Sequence, residues 1–113
     1  AVKGTKIALL GLSYKPDVGD LRESPALEVE AELKELGADL AVYDPYIERG
    51  AKSLKGAVRD AEAIVITTAH REIVSKLAKV LKDSEVKIVM DGRNCLDKEE
   101  IEDLGISYRG IGR

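Results

Sequence analysis

Gly11-Leu-Ser-Tyr-Lys-Pro-Asp-Val-Gly-Asp-Leu-Arg-Glu-Ser-Pro25 decides how this chain is read. The apolar run from Lys6 to Leu10 ahead of it has the character of a buried strand. Behind it, Ser24 suits a helix N-cap and Pro25 the first helical position. Ala26, Val29, Leu33 and Leu36 then recur on one helical face, and Gly37 supplies the stop. Glu30 and Lys34 form an i,i+4 pair on what reads as the exposed face. Between strand and helix lie about a dozen mostly polar residues, where two to six are usual. In an open α/β sheet, ligands sit outside the carboxyl ends of the strands, which is where this long loop emerges.

Working outward, short β-rich runs alternate with helix-period stretches. Strands are expected at 6–12, 39–43, 63–67, 86–90 and 106–109, and helices at 25–36, within 47–61, at 71–82 and at 97–104. Ala63-Ile-Val-Ile-Thr67 is a continuous run of the kind buried on both faces of a sheet. Asp97 with Glu100 three residues on resembles a capping box. This alternation predicts one domain over residues 1–113: a three-layer α/β/α Rossmann-like fold. Its five-stranded parallel sheet should have helices on both faces and strand order 3-2-1-4-5.

At 113 residues the chain can bury one core, built almost wholly from aliphatic side chains because it has no Phe or Trp and only 4 Tyr. A net charge of −3 with scattered cations argues against a nucleic-acid stripe or a membrane-surface helix. No apolar run reaches the roughly 20 residues of a membrane span, and no signal-peptide pattern opens the chain. The single cysteine excludes an internal disulfide and fits a reducing compartment, so the expected location is cytoplasmic.

Crossover handedness places every strand-to-helix turn on one edge. That edge collects Lys15, Asp17, Asp20, Arg22 and Ser24, then Asp44 and Tyr46, then Thr68 and His70, then Asp91, Arg93 and Asn94. Three cations beside a helix N-terminus suit an anion such as a diphosphate. Lys15, Arg22 and Arg93 read equally as solvated surface charges on this basis alone. The first turn is not a dinucleotide fingerprint, since only Gly11 matches G-x-G-x-x-G and positions 13 and 16 are Ser and Pro. Asp44-Pro45 reads as a turn starter, His70 as a structural helix-start residue, and Cys95 as a packed thiol. No catalytic triad, metal-ligand spacing or acid pair is present in the sequence.

Four segments carry a family resemblance: residues 11–26, Val42-Tyr-Asp-Pro45, Asp91-Gly-Arg-Asn94 and the terminal Tyr108-Arg-Gly-Ile-Gly112. Together they resemble the C-terminal, UDP-binding domain of the UDP-glucose/GDP-mannose dehydrogenase family across essentially the whole chain. The resemblance implies enzymes that oxidise the C6 hydroxyl of a nucleotide sugar to a carboxylate, with two NAD per turnover. It implies that NAD is held mainly by a separate N-terminal domain, and that a central helical region forms a homodimer or larger assembly. It also implies that Tyr14 and Lys15 contact the substrate, with the lysine on its phosphates, and that Arg93 contacts the nucleotide sugar. Arg22 is implied to reach towards the NAD side of the cleft.

The family's catalytic cysteine, general-base apparatus and active-site lysine belong to its other domains. Cys95 does not match the nucleophile's motif, so no catalytic residue is assigned in this chain. Many relatives carry Phe where this chain has Tyr14. The expected partners are therefore a UDP-sugar or other nucleotide sugar and the remainder of a dehydrogenase chain, with no nucleic acid or membrane. The alternative is a stand-alone nucleotide-binding or regulatory module without catalysis.

Overall fold

A computed structural model describes residues 2–111. Gly112, the last residue of the terminal Tyr-Arg-Gly-Ile-Gly stretch, lies outside them. The elements are β1 (Lys6–Leu10), α1 (Pro25–Glu35), β2 (Asp39–Tyr43), α2 (Leu54–Val58) and β3 (Ala63–Ile66), followed by α3 (Arg71–Leu81), β4 (Ile88–Asp91), α4 (Lys98–Glu102) and β5 (Ser107–Gly110). All four strand pairings are parallel, as the alternating pattern predicts.

The helix boundaries follow local chemistry. The Ser24 side chain accepts the Ala26 amide, Pro25 begins α1, and Gly37 just past its end has φ 88°. Asp97 accepts the amides of Glu99 and Glu100 at the head of α4. Glu30 does pair with Lys34 at 3.4 Å, but it is buried rather than exposed, because Arg49 reaches across from the loop after β2 and bonds the same carboxylate.

Strand order corrects the expectation of 3-2-1-4-5. The sheet runs β2-β1-β3-β4-β5, with Ile7 opposite Leu40 on one side and Ala63 on the other. The physical reason is burial. Ile7 to Leu10 are all buried, and Ile64 and Ile66 are fully so, which places β1 and β3 inside the sheet. β2 starts on an exposed Asp39 and half-buried Leu40 and Ala41, which only an edge position accommodates. The order reverses between β1 and β3, and that is the switch point at which such sheets open a crevice.

The two faces are covered unequally. Ala8, Leu10, Ile64, Ile66, Val89 and Tyr108 pack with residues of α2, α3 and α4 into the main core. On the other face Leu9, Leu12 and Val42 form a small cluster with Val29 of α1 and Val65. Farther along that face the register carries Val65 to Met90 and Met90 to Arg109, and both Met90 and Arg109 are exposed. α1 therefore covers the β1–β2 side and leaves β4 and β5 open on this face.

Gly11 is where the sheet forces a glycine. Its φ is 94°, and a Cβ there would stand 2.6 Å from Thr68 Cβ and 2.7 Å from the Thr68 amide nitrogen. Gly11→Ala should cost about 2–3 kcal/mol through strain and overlap. Thermal unfolding should show a midpoint lowered by roughly 10 °C or more for a domain of this size.

Candidate functional site

The carboxyl edge is assembled around Asp44, the residue that follows β2. Its Oδ2 accepts the amides of Leu12 (2.8 Å) and Ser13 (2.9 Å), the Ser13 hydroxyl (2.8 Å) and His70 Nε2 (2.7 Å). Its Oδ1 accepts the Tyr46 amide at 2.8 Å, which makes the Asp44-Pro45 turn expected from the sequence. Burial alone would raise the carboxyl pKa, but the bonds from His70, Leu12, Tyr46 and Ser13 outweigh it and hold the group well below the ordinary range.

These bonds decide what the first turn is able to bind. The amides of Leu12 and Ser13 are the ones a dinucleotide pyrophosphate would need, and Asp44 already occupies them. Thr68 fills the space beside Gly11 that a phosphate cradle would leave free. NAD therefore does not fit the first turn of this chain, in agreement with the missing glycines at 13 and 16.

The loop from Ser13 to Glu23 stands above this floor. Ser24 Oγ donates to the Leu12 carbonyl at 2.6 Å and Thr68 Oγ1 donates to the Ser13 carbonyl at 2.7 Å, which fixes both ends of the loop. The Tyr14 amide donates to the Asp20 carbonyl at 2.7 Å and closes it on itself. Asp17 has φ 60°, its amide donates to His70 Nδ1 at 2.8 Å, and its carboxylate accepts the Arg71 amide at 2.9 Å.

The side chains singled out by sequence lie as follows. Tyr14 is half exposed and Lys15 is exposed, both on this loop. Arg22 is exposed too, but its guanidinium is taken by Asp20 in a two-point contact of 3.1 and 2.9 Å. That pairing, helped by the Arg22 amide and the charge of Lys15, brings the Asp20 carboxyl down to about 2. Tyr14, Asp20, Arg22 and Glu23 line an open depression of about 640 Å³.

Arg93 reaches the same edge from the turn after β4, where its Nε donates to the Thr67 carbonyl at 2.9 Å. Thr67 Oγ1 in turn donates to the Gly11 carbonyl, so Arg93 is tied through the end of β3 to the start of the loop. Asp91 anchors the Arg93 turn. It accepts the amides of Arg93 (3.1 Å) and Leu96 (2.9 Å) and the buried Tyr108 hydroxyl (2.8 Å). Burial raises its pKa, and the Leu96 and Tyr108 bonds more than reverse that.

Cys95 packs against the core, and its thiol lies 3.4 Å from the Asp91 carboxylate. Burial, with the charge of Asp91 beside it, pushes the thiol up to about 12, which makes it a poor nucleophile. Among the described residues no group of three or more His, Cys, Asp or Glu side chains is placed to hold a metal, and no helix is long and apolar enough to cross a membrane.

Sequence alone placed Asp44, Thr68 and His70 on this edge but not the bonds among them. His70 is fully buried and Tyr46 tilts over it with ring centroids 5.1 Å apart. The available signal was positional: an aspartate ending one strand and a histidine directly before a helix, both on the ligand edge.

A doubly wound parallel sheet with a long polar loop at its switch point defines an α/β domain of the nucleotide-binding class of folds. Residues 8–98 match the UDP-glucose/GDP-mannose dehydrogenase family, UDP binding domain, and the chain belongs to that family. It is 39% identical over 108 residues to the UDP-N-acetyl-D-mannosamine dehydrogenase of Pyrococcus horikoshii, covering 95% of this chain and 25% of that protein. It is 34% identical to a UDP-glucose 6-dehydrogenase of Bacillus subtilis, covering all of this chain and 27% of that one. Among solved structures, the NDP-N-acetyl-D-galactosaminuronic acid dehydrogenase of Methanosarcina mazei superposes with a TM-score of 0.91 at 32% identity, over 99% of this chain and 25% of that one. The Pyrococcus horikoshii structure gives 0.88 at 38% identity, over 99% of this chain and 26% of that one. The chain thus spans about a quarter of the length of the relatives it matches.

Asp44 and Asp91 set the acid limit of the fold. Both carboxyls are depressed when folded, so their contribution is complete above the ordinary carboxylate pKa near 3.9 and is lost as pH falls towards the folded values. Urea unfolding at stepped pH should show stability dropping below about pH 4. Asp44→Asn should be less stable at neutral pH and show a shallower acid slope, since it removes one of the depressed carboxyls.

Proposed function

We propose that this chain is the nucleotide-sugar-binding domain of an NAD-dependent nucleotide-sugar 6-dehydrogenase. The observation that carries the reading is the fixed basic rim at the carboxyl edge, with Lys15 on a loop pinned at both ends and Arg93 braced on the Thr67 carbonyl. The names of relatives that match nearly the whole chain support it. In this reading Lys15 and Arg93 neutralise the diphosphate, and Tyr14 lies against the nucleotide sugar. Each charge-assisted contact contributes roughly 1.5–3 kcal/mol. Arg22 extends towards NAD, for which it must first leave Asp20.

The remainder of the dehydrogenase supplies the NAD cradle, the nucleophile and the base, and makes the homodimer or larger assembly. Oxidation of the sugar C6 hydroxyl to the carboxylate takes place there, with two NAD reduced per turnover. The role of this domain is electrostatic: it holds the carrier nucleotide so that the sugar projects towards the chemistry. A domain with that task works in the cytoplasm, where NAD and nucleotide sugars are both present.

Calorimetric titration with UDP and GDP, at low and moderate salt, tests this reading. Saturable binding of UDP that weakens with salt is expected, with Lys15→Ala and Arg93→Ala each reducing affinity about tenfold or more. Preference for GDP would reassign the carrier. Absence of saturable binding, or variants that bind UDP as tightly as the native chain, would overturn the assignment of these residues. With UDP-glucose and NAD, this chain alone should leave absorbance at 340 nm at background.

A further inference from the structure

His70 makes contacts that the electrostatic rim does not by itself require. It is the only histidine of the chain, it is fully buried, and it occupies the N-cap position of α3 without capping that helix through its side chain. Both ring nitrogens are engaged. The Asp17 backbone amide can only donate, so Nδ1 at 2.8 Å must accept. The ring proton is therefore on Nε2 and is donated to the Asp44 carboxylate 2.7 Å away. The tautomer is dictated by its partners, and the ring is neutral in this arrangement.

The cap missing from His70 comes from the loop instead. Asp17 Oδ1 accepts the amide of Arg71, the first residue of α3, while the Asp17 amide returns its hydrogen to His70. Two segments more than fifty residues apart thus close a reciprocal pair of bonds of capping-box type. Asp17 sits at φ 60°, a left-handed conformation that aspartate tolerates better than most residues and that these two bonds hold. Lys15 lies two residues earlier, beyond the fixed ring of Pro16.

We propose that His70 is the positioning residue of the anion-binding loop: its neutral Nε2–H tautomer, fixed by Asp44, presents Nδ1 to the Asp17 amide and thereby sets where Lys15 stands. This rests on the reading above that Lys15 faces a diphosphate. Asp44 is then more than a turn residue, because it orients the imidazole that orients the loop.

Two variants separate the two nitrogens. His70→Asn places an amide oxygen near the Nδ1 position and keeps an acceptor for Asp17, but cannot reach Asp44. His70→Gln places an amide nitrogen near the Nε2 position and keeps the Asp44 contact, but leaves the Asp17 amide unbonded. Both lose the ring, so both should lower the melting temperature to a similar extent. The Asp17 amide should exchange with solvent slowly in the native chain and in His70→Asn, and about tenfold or more faster in His70→Gln. UDP affinity should follow the same split, with His70→Asn within about threefold of native and His70→Gln weaker by tenfold or more. The imidazole 15N spectrum of the native chain should show one protonated nitrogen, assigned to Nε2.

Equal exchange in the two variants, or affinity losses that track melting temperature alone, would overturn the proposal. So would an Nδ1–H tautomer. If the native chain bound no UDP, the diphosphate reading would fall, while exchange and tautomer would still decide whether His70 holds the loop.

Discussion

A carboxylate with almost no solvent contact governs the ligand edge of this domain. Asp44 Oδ2 gathers donors from Leu12 and Ser13, just past β1, and from the residue ahead of α3. A buried charge is tolerable only when donors replace its hydration, and here they come from two segments distant in sequence, residues 12–13 and His70. Displacing either of those segments would leave the charge short of partners. The first turn of the sheet consequently has its own internal anion, which is why a fold that resembles dinucleotide binders in outline has no place for a dinucleotide pyrophosphate there. The proposed ligand edge is shifted outward, onto the long loop and the turn after β4.

That loop is shaped by a second layer of carboxylates. Asp20 holds Arg22, Asp17 caps α3, and Asp91 fixes the turn that carries Arg93. Acidic side chains thus outnumber basic ones at an edge whose proposed ligand is an anion. They hold backbone amides and one guanidinium in place, while Lys15 and the outer guanidinium nitrogens of Arg93 face outward as the positive rim. Residue counts alone would have judged this edge acidic.

Much of the architecture could be read from local chemistry. Ser24-Pro25 and Gly37 bound α1 because capping and positive φ depend on a few adjacent atoms, and Asp97 marks α4 for the same reason. Strand order could not be read this way, since it depends on whether β1 or β2 pairs with β3. The one sequence clue was the contrast between the unbroken apolar run of β3 and the polar start of β2, which favours β3 inside and β2 at the edge. The exposure of Glu30 was misjudged because Arg49 arrives from another segment. At the site, the basic residues were legible as members of one edge, whereas the Asp17–His70–Asp44 chain needed three loops brought together.

The seam between β1 and β3 has a consequence for how the molecule comes together. Every other strand pairing joins neighbours linked by a single helix, such as Lys6 with Asp39 or Ile88 with Ser107. The pairing of Ile7 with Ala63 closes a loop roughly twice as long as the average of those, and long closures carry the larger entropic cost. In kinetic terms the chain is two short-range units, β1-α1-β2 and β3-α3-β4-α4-β5, that must dock along one line. Each bond joining loop to floor across that line, from Thr67 to Gly11, Thr68 to Ser13 and Asp17 to His70, connects the two units. The carboxyl edge is therefore complete only when the two units are joined, and its order reports on that seam.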